Sequence, residues 1–280
     1  LGREGAEAFL ADSNSQPPAA AQVNTCRCSA EDAARALEEE GVRVERHLWL
    51  PDCLLLEGTG DLERLRAFRN GMIYIQDPAA RLTALAAALQ PGNRVLDVCA
   101  APGGKSFAAA VAMGDRGEIV SCDLHENKLK RIQEGAARLG LCSIRAEAAD
   151  GRVFREEWRD AFDVVLVDAP CSGLGILRKK PDIRRKKADD LFPLPVVQSA
   201  ILENAARYVR PGGALLYSTC TILPEENEEV TEAFLGTHPA FSRETFTLPG
   251  PIGRVEGQTT LWPHLHGTDG FYICRMTRRV

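Results

Sequence analysis

The chain has 280 residues, 45% of them hydrophobic and 26% charged, which is enough apolar material for one large domain or for one domain with a small partner. It has neither an apolar run long enough to span a bilayer nor a secretory N-terminus, which argues against a membrane or exported protein and favours the cytoplasm. The net charge of −5 argues mildly against non-specific nucleic-acid binding, and nine irregularly spaced cysteines argue against a disulfide scaffold. We expect a monomer with no metal site.

The N-terminal part is predicted to be an irregular lead-in followed by a small α+β unit. Residues 1–25 are rich in turn formers, and Ser29 can cap a helix over Ala30–Glu40. Extended segments follow over Val42–Leu50 and Cys53–Glu57. We place a domain boundary between residues 76 and 77, where Asp77-Pro78 opens a helix that runs to Leu89.

From residue 93 onward, short apolar runs alternate with helical ones, a pattern typical of a parallel sheet wrapped by helices. The last two predicted strands have no helical pattern between them, so we expect an antiparallel hairpin at the sheet edge. This favours an α/β fold with a Rossmann-like methyltransferase sheet, mainly parallel with an antiparallel last strand. The predicted strands cover Arg94–Val98, Glu118–Asp123, Ser143–Glu147, Asp163–Asp168, Ala214–Thr219, Phe241–Phe246 and Gly270–Met276.

A nucleotide-type cofactor site is predicted at the carboxyl ends of the first three of these strands. Asp123 ends the second strand, where it can accept both ribose hydroxyls, and Asp150 follows the third, in a place suited to an adenine amino group. The loop lacks the Gly-x-Gly-x-x-Gly of nicotinamide sites, which together with the tail favours S-adenosylmethionine. The first strand leads into a loop of small residues, namely Cys99, Ala100, Ala101, Pro102, Gly103, Gly104 and Lys105.

Two cysteine motifs indicate the reaction. Asp168-Ala-Pro-Cys171-Ser-Gly follows the fourth strand, and Ser-Thr-Cys220-Thr follows the fifth. A single buried cysteine at a strand end is more often structural. Neighbouring parallel strands lie about 4.8 Å apart, however, so both thiols should face one substrate beside the cofactor loop. Such a pair suits methylation of cytosine C5, which first needs a thiolate to add at C6 and later to leave.

A basic stretch follows the first cysteine motif. Its simplest interpretation is a solvated surface face. Its position beside the cysteine motif favours a second one, contacts to the phosphates that flank a target nucleotide. The residues concerned are Arg178, Lys179, Lys180, Arg184, Arg185, Lys186 and Lys187.

These motifs together resemble the Sun/Fmu family of RNA cytosine-C5 methyltransferases. The runs that carry the resemblance are Cys99–Lys105, Asp168–Gly173, Ser218–Thr221, Pro224–Glu228 and Thr268–Phe271. The segment from Pro263 to Gly270 resembles the bacterial small-subunit ribosomal RNA methyltransferase B branch. Gln22 departs from the pattern, since an arginine is expected there.

The resemblance implies roles for individual residues. It implies that Cys220 is the nucleophile, that Cys171 assists release of the product, that Asp168 contacts the cytosine edge and the cofactor region, and that Lys105 lies in the active site. It also implies that the segment before Asp77 binds RNA. Members of that branch often carry an upstream helical domain, and because the chain begins at Leu1 rather than Met, we expect a processed, excerpted or naturally short chain.

Ribosomal RNA is the substrate that this branch implies. Two alternatives stay open at this point. One is a catalytically silent RNA-binding homologue, and the other is a methyltransferase that acts on transfer RNA, on DNA or on a protein.

Overall fold

A computed structural model describes residues 1–280, apart from the side chain of residue 188. The part before Pro78 forms a four-stranded antiparallel sheet in the order β2-β3-β1-β4, with helix α2 packed on it. Ser29 caps α2 as predicted, because its hydroxyl accepts a hydrogen bond from the backbone N–H of Asp32 at 3.1 Å. The elements are α1 (Gly2–Asp12), β1 (Ala19–Val23), α2 (Ala30–Glu38), β2 (Arg43–Arg46), β3 (Cys53–Glu57), α3 (Arg66–Arg69) and β4 (Ile73–Ile75).

The remainder of the chain is built around one large sheet. Asp77 caps its first helix through the backbone N–H of Ala79 at 2.8 Å, and Pro78 occupies the first turn. The elements are α4 (Pro78–Ala86), β5 (Arg94–Asp97), α5 (Gly104–Ala112), β6 (Glu118–Asp123), α6 (Glu126–Leu139), β7 (Ile144–Ala148), β8 (Phe162–Asp168), α7 (Leu194–Ala206), β9 (Val209–Thr219), α8 (Glu228–Thr237), β10 (Phe241–Arg243), β11 (Phe246–Leu248), β12 (Gly253–Val255), β13 (Gln258–Leu261), α9 (Pro263–His266) and β14 (Phe271–Arg278).

The large sheet has the order β10-β14-β9-β8-β5-β6-β7, and β13 pairs with β14. Strands β9, β8, β5, β6 and β7 are parallel, whereas β14 runs antiparallel to β9. Both faces are covered: along β8, Val164 and Leu166 pack into one core cluster and Val165 and Val167 into the other. The predicted Rossmann-like sheet with an antiparallel last strand and a preceding small α+β unit is confirmed.

One local prediction was wrong. The lead-in over residues 1–25 contains α1 and β1, and α1 is anchored where Phe9 packs edge-on against Trp262, with ring centroids 6.3 Å apart. The last two predicted strands do pair antiparallel at the edge of the sheet, as β10 and β14. They are not joined as a direct hairpin, because β11, β12, β13 and α9 lie between them in the chain.

Of the described residues, no helix combines the length and apolar character needed to cross a bilayer.

Candidate active site

The carboxyl ends of β5 and β8 open into a cleft of about 1000 Å³. The loop from Cys99 to Lys105 lines one side of it, together with Asp97 and Asp168. Gly103 adopts φ +112°, and a Cβ there would lie 2.5 Å from the Phe107 ring, so only glycine fits this turn into α5. The structure therefore places the predicted loop residues at one large opening, as expected for the strand ends of an open α/β sheet.

Lys105 and Asp168 form an ion pair on the wall of this cleft. Lys105 Nζ lies 2.6 Å from Asp168 Oδ2, and the other carboxylate oxygen accepts a hydrogen bond from Ser218 Oγ at 2.9 Å. Burial has the largest single effect on Lys105 and would lower its pKa, but the charge of Asp168, the hydrogen bond to it and the charges of Asp97 and Cys220 together raise that pKa. This pair thus links the cofactor-type loop to the strand that carries Cys220.

The two predicted thiols lie side by side. Cys171 Sγ and Cys220 Sγ are 3.3 Å apart, close enough for one thiol to donate a hydrogen bond to the other. This hydrogen bond lowers the pKa of Cys220, assisted by the charges of Lys105 and Lys180, and it raises the pKa of Cys171. The arrangement therefore favours a thiolate at Cys220 with Cys171 as its protonated partner.

Polar bonds between the two cysteine loops hold this geometry. Ser172 Oγ and Thr221 Oγ1 are 2.6 Å apart, so the residues that follow the two cysteines are joined directly. Glu226 is 1% exposed, and its carboxylate accepts from the backbone N–H of Ser172 at 2.9 Å and from Gln198 Nε2 at 2.8 Å. The acidic run that contains Glu226 resembles a solvated helical turn in sequence, and nothing local signalled that this one carboxylate is buried.

Close backbone packing fixes the Cys220 loop from a further side. The backbone N–H of Gly175 donates to the Cys220 carbonyl at 3.0 Å, and the N–H of Gly270 donates to the Gly175 carbonyl at 2.8 Å. A Cβ on Gly175 would lie 1.9 Å from the Gly270 oxygen. The glycines of the Leu-Gly-Ile and Asp-Gly-Phe segments are therefore required by contact between the two backbones.

The two acids predicted to bind adenosine lie at the ends of β6 and β7. Asp123 is buried, accepts from the backbone N–H of His125 at 3.0 Å and lies 3.5 Å from Lys128 Nζ. Both oxygens of Asp150 are engaged by Arg152, at 2.9 and 2.7 Å. Neither acid lines the cleft that contains Lys105 and Asp168. They occupy the neighbouring strand ends.

Part of the basic stretch is engaged by carboxylates from distant parts of the chain. The side chain of Arg178 is 7% exposed and lies 3.5 Å from Asp12 and 3.2 Å from Asp269. Lys179 forms ion pairs with Asp77 and, at 2.8 Å, with Asp269. Burial raises the pKa of Asp269 to about 6, and the charge of Asp77 adds to this. These two cations join the end of α1, the start of α4 and the segment before β14.

The other basic residues fall into two groups. Arg184 donates to the Ser13 carbonyl at 2.7 Å, and Lys186 donates to the Ser172 carbonyl at 2.7 Å, beside Cys171. Lys180, Arg185 and Lys187 are exposed, and within the described part of the chain they have no carboxylate within ion-pair distance. Among the described residues, this last group comprises the cations of the stretch whose side chains form neither an ion pair nor a hydrogen bond, so their N–H groups are available to an external anion.

Relatives of known name cover nearly all of the chain. It is 40% identical over 271 residues to a probable ribosomal RNA small subunit methyltransferase B of Bacillus subtilis, an alignment that covers 94% of this chain and 60% of the relative. The corresponding Vibrio cholerae protein is 34% identical, with coverages of 95% and 60%. The chain thus spans about 60% of the length of these curated relatives.

A solved structure also resembles the fold of this chain over nearly its whole length. A methyltransferase homologue from Pyrococcus horikoshii superposes with a TM-score of 0.83 at 28% identity, covering 99% of this chain and 92% of that one. The family model described as a ferredoxin-like domain of the RsmF/B-like methyltransferases matches residues 1–63. These likenesses agree with the predicted family, with its B branch and with a methyl donor of the S-adenosylmethionine class. Since the family model described as 16S rRNA methyltransferase RsmB/F matches residues 84–277, more than half of the chain, the chain belongs to that family.

Proposed function

We propose that the chain is an S-adenosylmethionine-dependent methyltransferase that acts on C5 of a cytosine in small-subunit ribosomal RNA, in the cytoplasm. One observation carries this proposal: Cys220 and Cys171 lie 3.3 Å apart beside the Lys105–Asp168 ion pair. A lowered thiol pKa beside charged side chains is typical of a nucleophilic cysteine. The relatives named above, whose printed names specify ribosomal RNA, support the choice of substrate.

The cleft has a donor set that suits the methyl donor. Asp97 Oδ1 is fully buried without a partner among the described residues, and the first turn of α5 has no side-chain cap. These groups, with the loop from Cys99 to Lys105, would hold the cofactor, while Asp123 and Asp150 would hold its ribose and adenine. When bound, S-adenosylmethionine supplies an electrophilic methyl group.

Cys220 is proposed to act on the base itself. Its thiolate forms a bond to C6 of cytosine, and the electron pair of the C5–C6 double bond shifts to give C5 enamine character, so that C5 can accept a methyl group. The C5 proton is then lost to solvent water, its bonding electron pair restores the C5–C6 double bond, and the electron pair of the broken C6–S bond returns to Cys220 Sγ as a thiolate. Asp168, held by Lys105 and Ser218, is placed to contact the cytosine edge.

Cys171 is proposed to assist this last step. The two sulfurs lie within hydrogen-bond distance, and when Cys220 is the thiolate the Cys171 thiol is the donor, so Cys171 can stabilise the departing thiolate. Without it, release should slow, and a Cys171→Ala variant should accumulate a denaturant-resistant protein–RNA adduct. Gel analysis of the variant with cytosine-containing RNA measures this. Full activity with no adduct would remove Cys171 from the release step.

The proposal also assigns different roles to two parts of the chain. Residues 1–76 would bind RNA, and residues 77–280 would carry the cofactor and the reaction. The exposed cations Lys180, Arg185 and Lys187 would contact phosphates that flank the target base.

Tritium release from RNA labelled at cytosine C5 tests the reaction directly, because methylation at C5 must displace that hydrogen. We expect release from 16S ribosomal RNA with S-adenosylmethionine and none without it. The same assay with DNA and with transfer RNA decides between substrate classes. Methyl incorporation into RNA without tritium release would place the methyl group elsewhere, and no incorporation into any RNA would favour a silent RNA-binding homologue.

A further inference from the structure

Gln76 is a buried polar residue in the main cleft that the reaction above does not use. It directly follows β4 and precedes Asp77, the cap of α4. It is 7% exposed and lines the cleft, and neither Oε1 nor Nε2 has a hydrogen-bond partner among the described residues. A buried amide without partners destabilises the folded chain, so a residue kept in this state points to a ligand that completes its bonding.

The backbone of Gln76 is held on both sides. Its N–H donates to the Ala20 carbonyl at 3.1 Å, which continues the pairing of β1 with β4. Its carbonyl accepts from the buried side chain of Gln22 at 3.0 Å. Gln22, the residue that departs from the family pattern, thus hydrogen-bonds to the backbone of Gln76. Because that backbone is fixed on both sides, the side-chain amide starts from a rigid position.

The Gln76 amide lies against the first turn of α5. A Cβ on Gly104 would lie 3.2 Å from Gln76 Nε2, so glycine at this position leaves room for the amide. Helix α5 has nine residues and no side-chain cap, so its first N–H groups are available to an anion. An unpaired amide, whose NH2 group donates and whose oxygen accepts, therefore lies beside a site suited to a carboxylate.

The order of the strands decides which part of the methyl donor lies here, and this step rests on the proposed function. Asp123 and Asp150 place adenosine over the ends of β6 and β7, and the thiols lie at the ends of β8 and β9. Strand β5 lies between these pairs and leads through its loop into α5. The amino-acid part of the cofactor is therefore expected at the end of β5, beside the first turn of α5.

We propose that Gln76 and the first turn of α5 bind the α-amino-acid end of the methyl donor, with Nε2 donating to its carboxylate and Oε1 accepting from its ammonium group. Asp97 Oδ1, unpartnered in the same cleft, offers a second acceptor for the ammonium group. Gln76 is thus a specificity residue contributed by the end of the small sheet. It distinguishes the complete donor from nucleosides that lack the amino acid.

Binding of two ligands distinguishes recognition of the amino-acid end by Gln76 from a general disturbance of the cleft. S-adenosylhomocysteine contains the amino acid, whereas 5′-methylthioadenosine has the same adenosine and sulfur without it. By calorimetry, we expect Gln76→Leu to weaken S-adenosylhomocysteine about tenfold or more and to leave 5′-methylthioadenosine unchanged. Gln76→Glu, which keeps the size but repels a carboxylate, should show the same selectivity with a larger loss.

A matched control uses the ribose end of the same ligands. Asp123→Ala should weaken both ligands by a similar factor, because both contain the ribose. Equal losses for both ligands in the Gln76 variants, or no loss for either, would overturn the proposal. Unchanged 5′-methylthioadenosine affinity also shows that a variant is folded. If the wild-type chain binds neither ligand, the proposed methyltransferase function fails, which is a different result.

Discussion

The paired thiols and the basic stretch lie close together in the chain but are positioned by different kinds of interaction. Cys171 and Cys220 follow adjacent parallel strands, and hydrogen bonds between their loops hold them 3.3 Å apart. The basic stretch has no strand to align it, and carboxylates from remote segments engage Arg178 and Lys179. Sheet topology thus determines where the reactive groups meet, whereas ion pairs determine which basic residues remain available for RNA.

The largest expected effect is loss of the nucleophile. Cys220→Ala should lower methyl transfer by at least about a thousandfold, the scale expected when a covalent nucleophile is removed, with cofactor affinity unchanged. Initial rates with labelled S-adenosylmethionine, together with calorimetry, check both parts. Cys142→Ala, at an exposed cysteine, is the matched control and should keep full activity. Wild-type turnover in Cys220→Ala would exclude this thiol as the nucleophile.

This difference also explains what the sequence could predict. Short apolar runs located β5, β6, β8 and β9, and parallel pairing then placed their ends, including both thiols, at one edge. The partners of Arg178 and Lys179 come from Asp12, Asp77 and Asp269, which no local pattern connects. Long-range charge pairing depends on the finished fold.

The same limit applies to buried polar residues. Glu226 lies in a run of acids, and only the fold shows that it holds Ser172 while its neighbours Glu225 and Glu229 stay at the surface. The fold likewise leaves Gln76 without a partner. The sequence could place the strand ends but not the hydrogen bonds that orient them.

A second prediction concerns Asp123, which also lies at the carboxyl end of a strand of the large sheet. Asp123→Ala should weaken S-adenosylmethionine binding by about 1.5–3 kcal/mol, roughly 10- to 150-fold, because hydrogen bonds with a charged group are lost. Calorimetry measures this. Glu126→Ala, an exposed carboxylate three residues further on, should leave the affinity unchanged. An equal affinity in Asp123→Ala would mean that the ribose does not lie at the end of β6.

A third prediction tests the coupling between the thiols. The hydrogen bond from Cys171 is the main cause of the lowered Cys220 pKa, so Cys171→Ala should raise that pKa. Only the thiolate reacts with iodoacetamide, so at neutral pH alkylation of Cys220 should slow by about tenfold per unit of pKa, and well above both pKa values the rates should converge. Peptide-resolved mass spectrometry across a pH series measures the inflection. An inflection that does not move would show that Lys105 and Lys180 alone set the Cys220 pKa.

The smallest expected effect concerns the basic stretch. Two sets of its cations can be compared as candidates for contact with RNA phosphates. Lys180, Arg185 and Lys187 are exposed without a carboxylate partner in the described chain, whereas Arg178 is buried between Asp12 and Asp269. Arg184 and Lys186 are exposed as well, but each side chain already donates to a backbone carbonyl, so they are left out of the first set. We therefore expect the phosphate contacts to come from Lys180, Arg185 and Lys187.

The triple substitution Lys180→Ala, Arg185→Ala and Lys187→Ala should weaken RNA binding a few-fold at moderate salt. It should also reduce the slope of log affinity against log salt by about two, since each contact with a single strand contributes about 0.7. Arg178→Ala should instead lower the midpoint of thermal unfolding and leave the slope unchanged, because it leaves Asp269 buried with one cation fewer. Fluorescence anisotropy across a salt series and calorimetric unfolding measure the two effects. A wild-type slope in the triple variant would assign these charges to solvation alone, and the RNA path would then have to lie over residues 23–76.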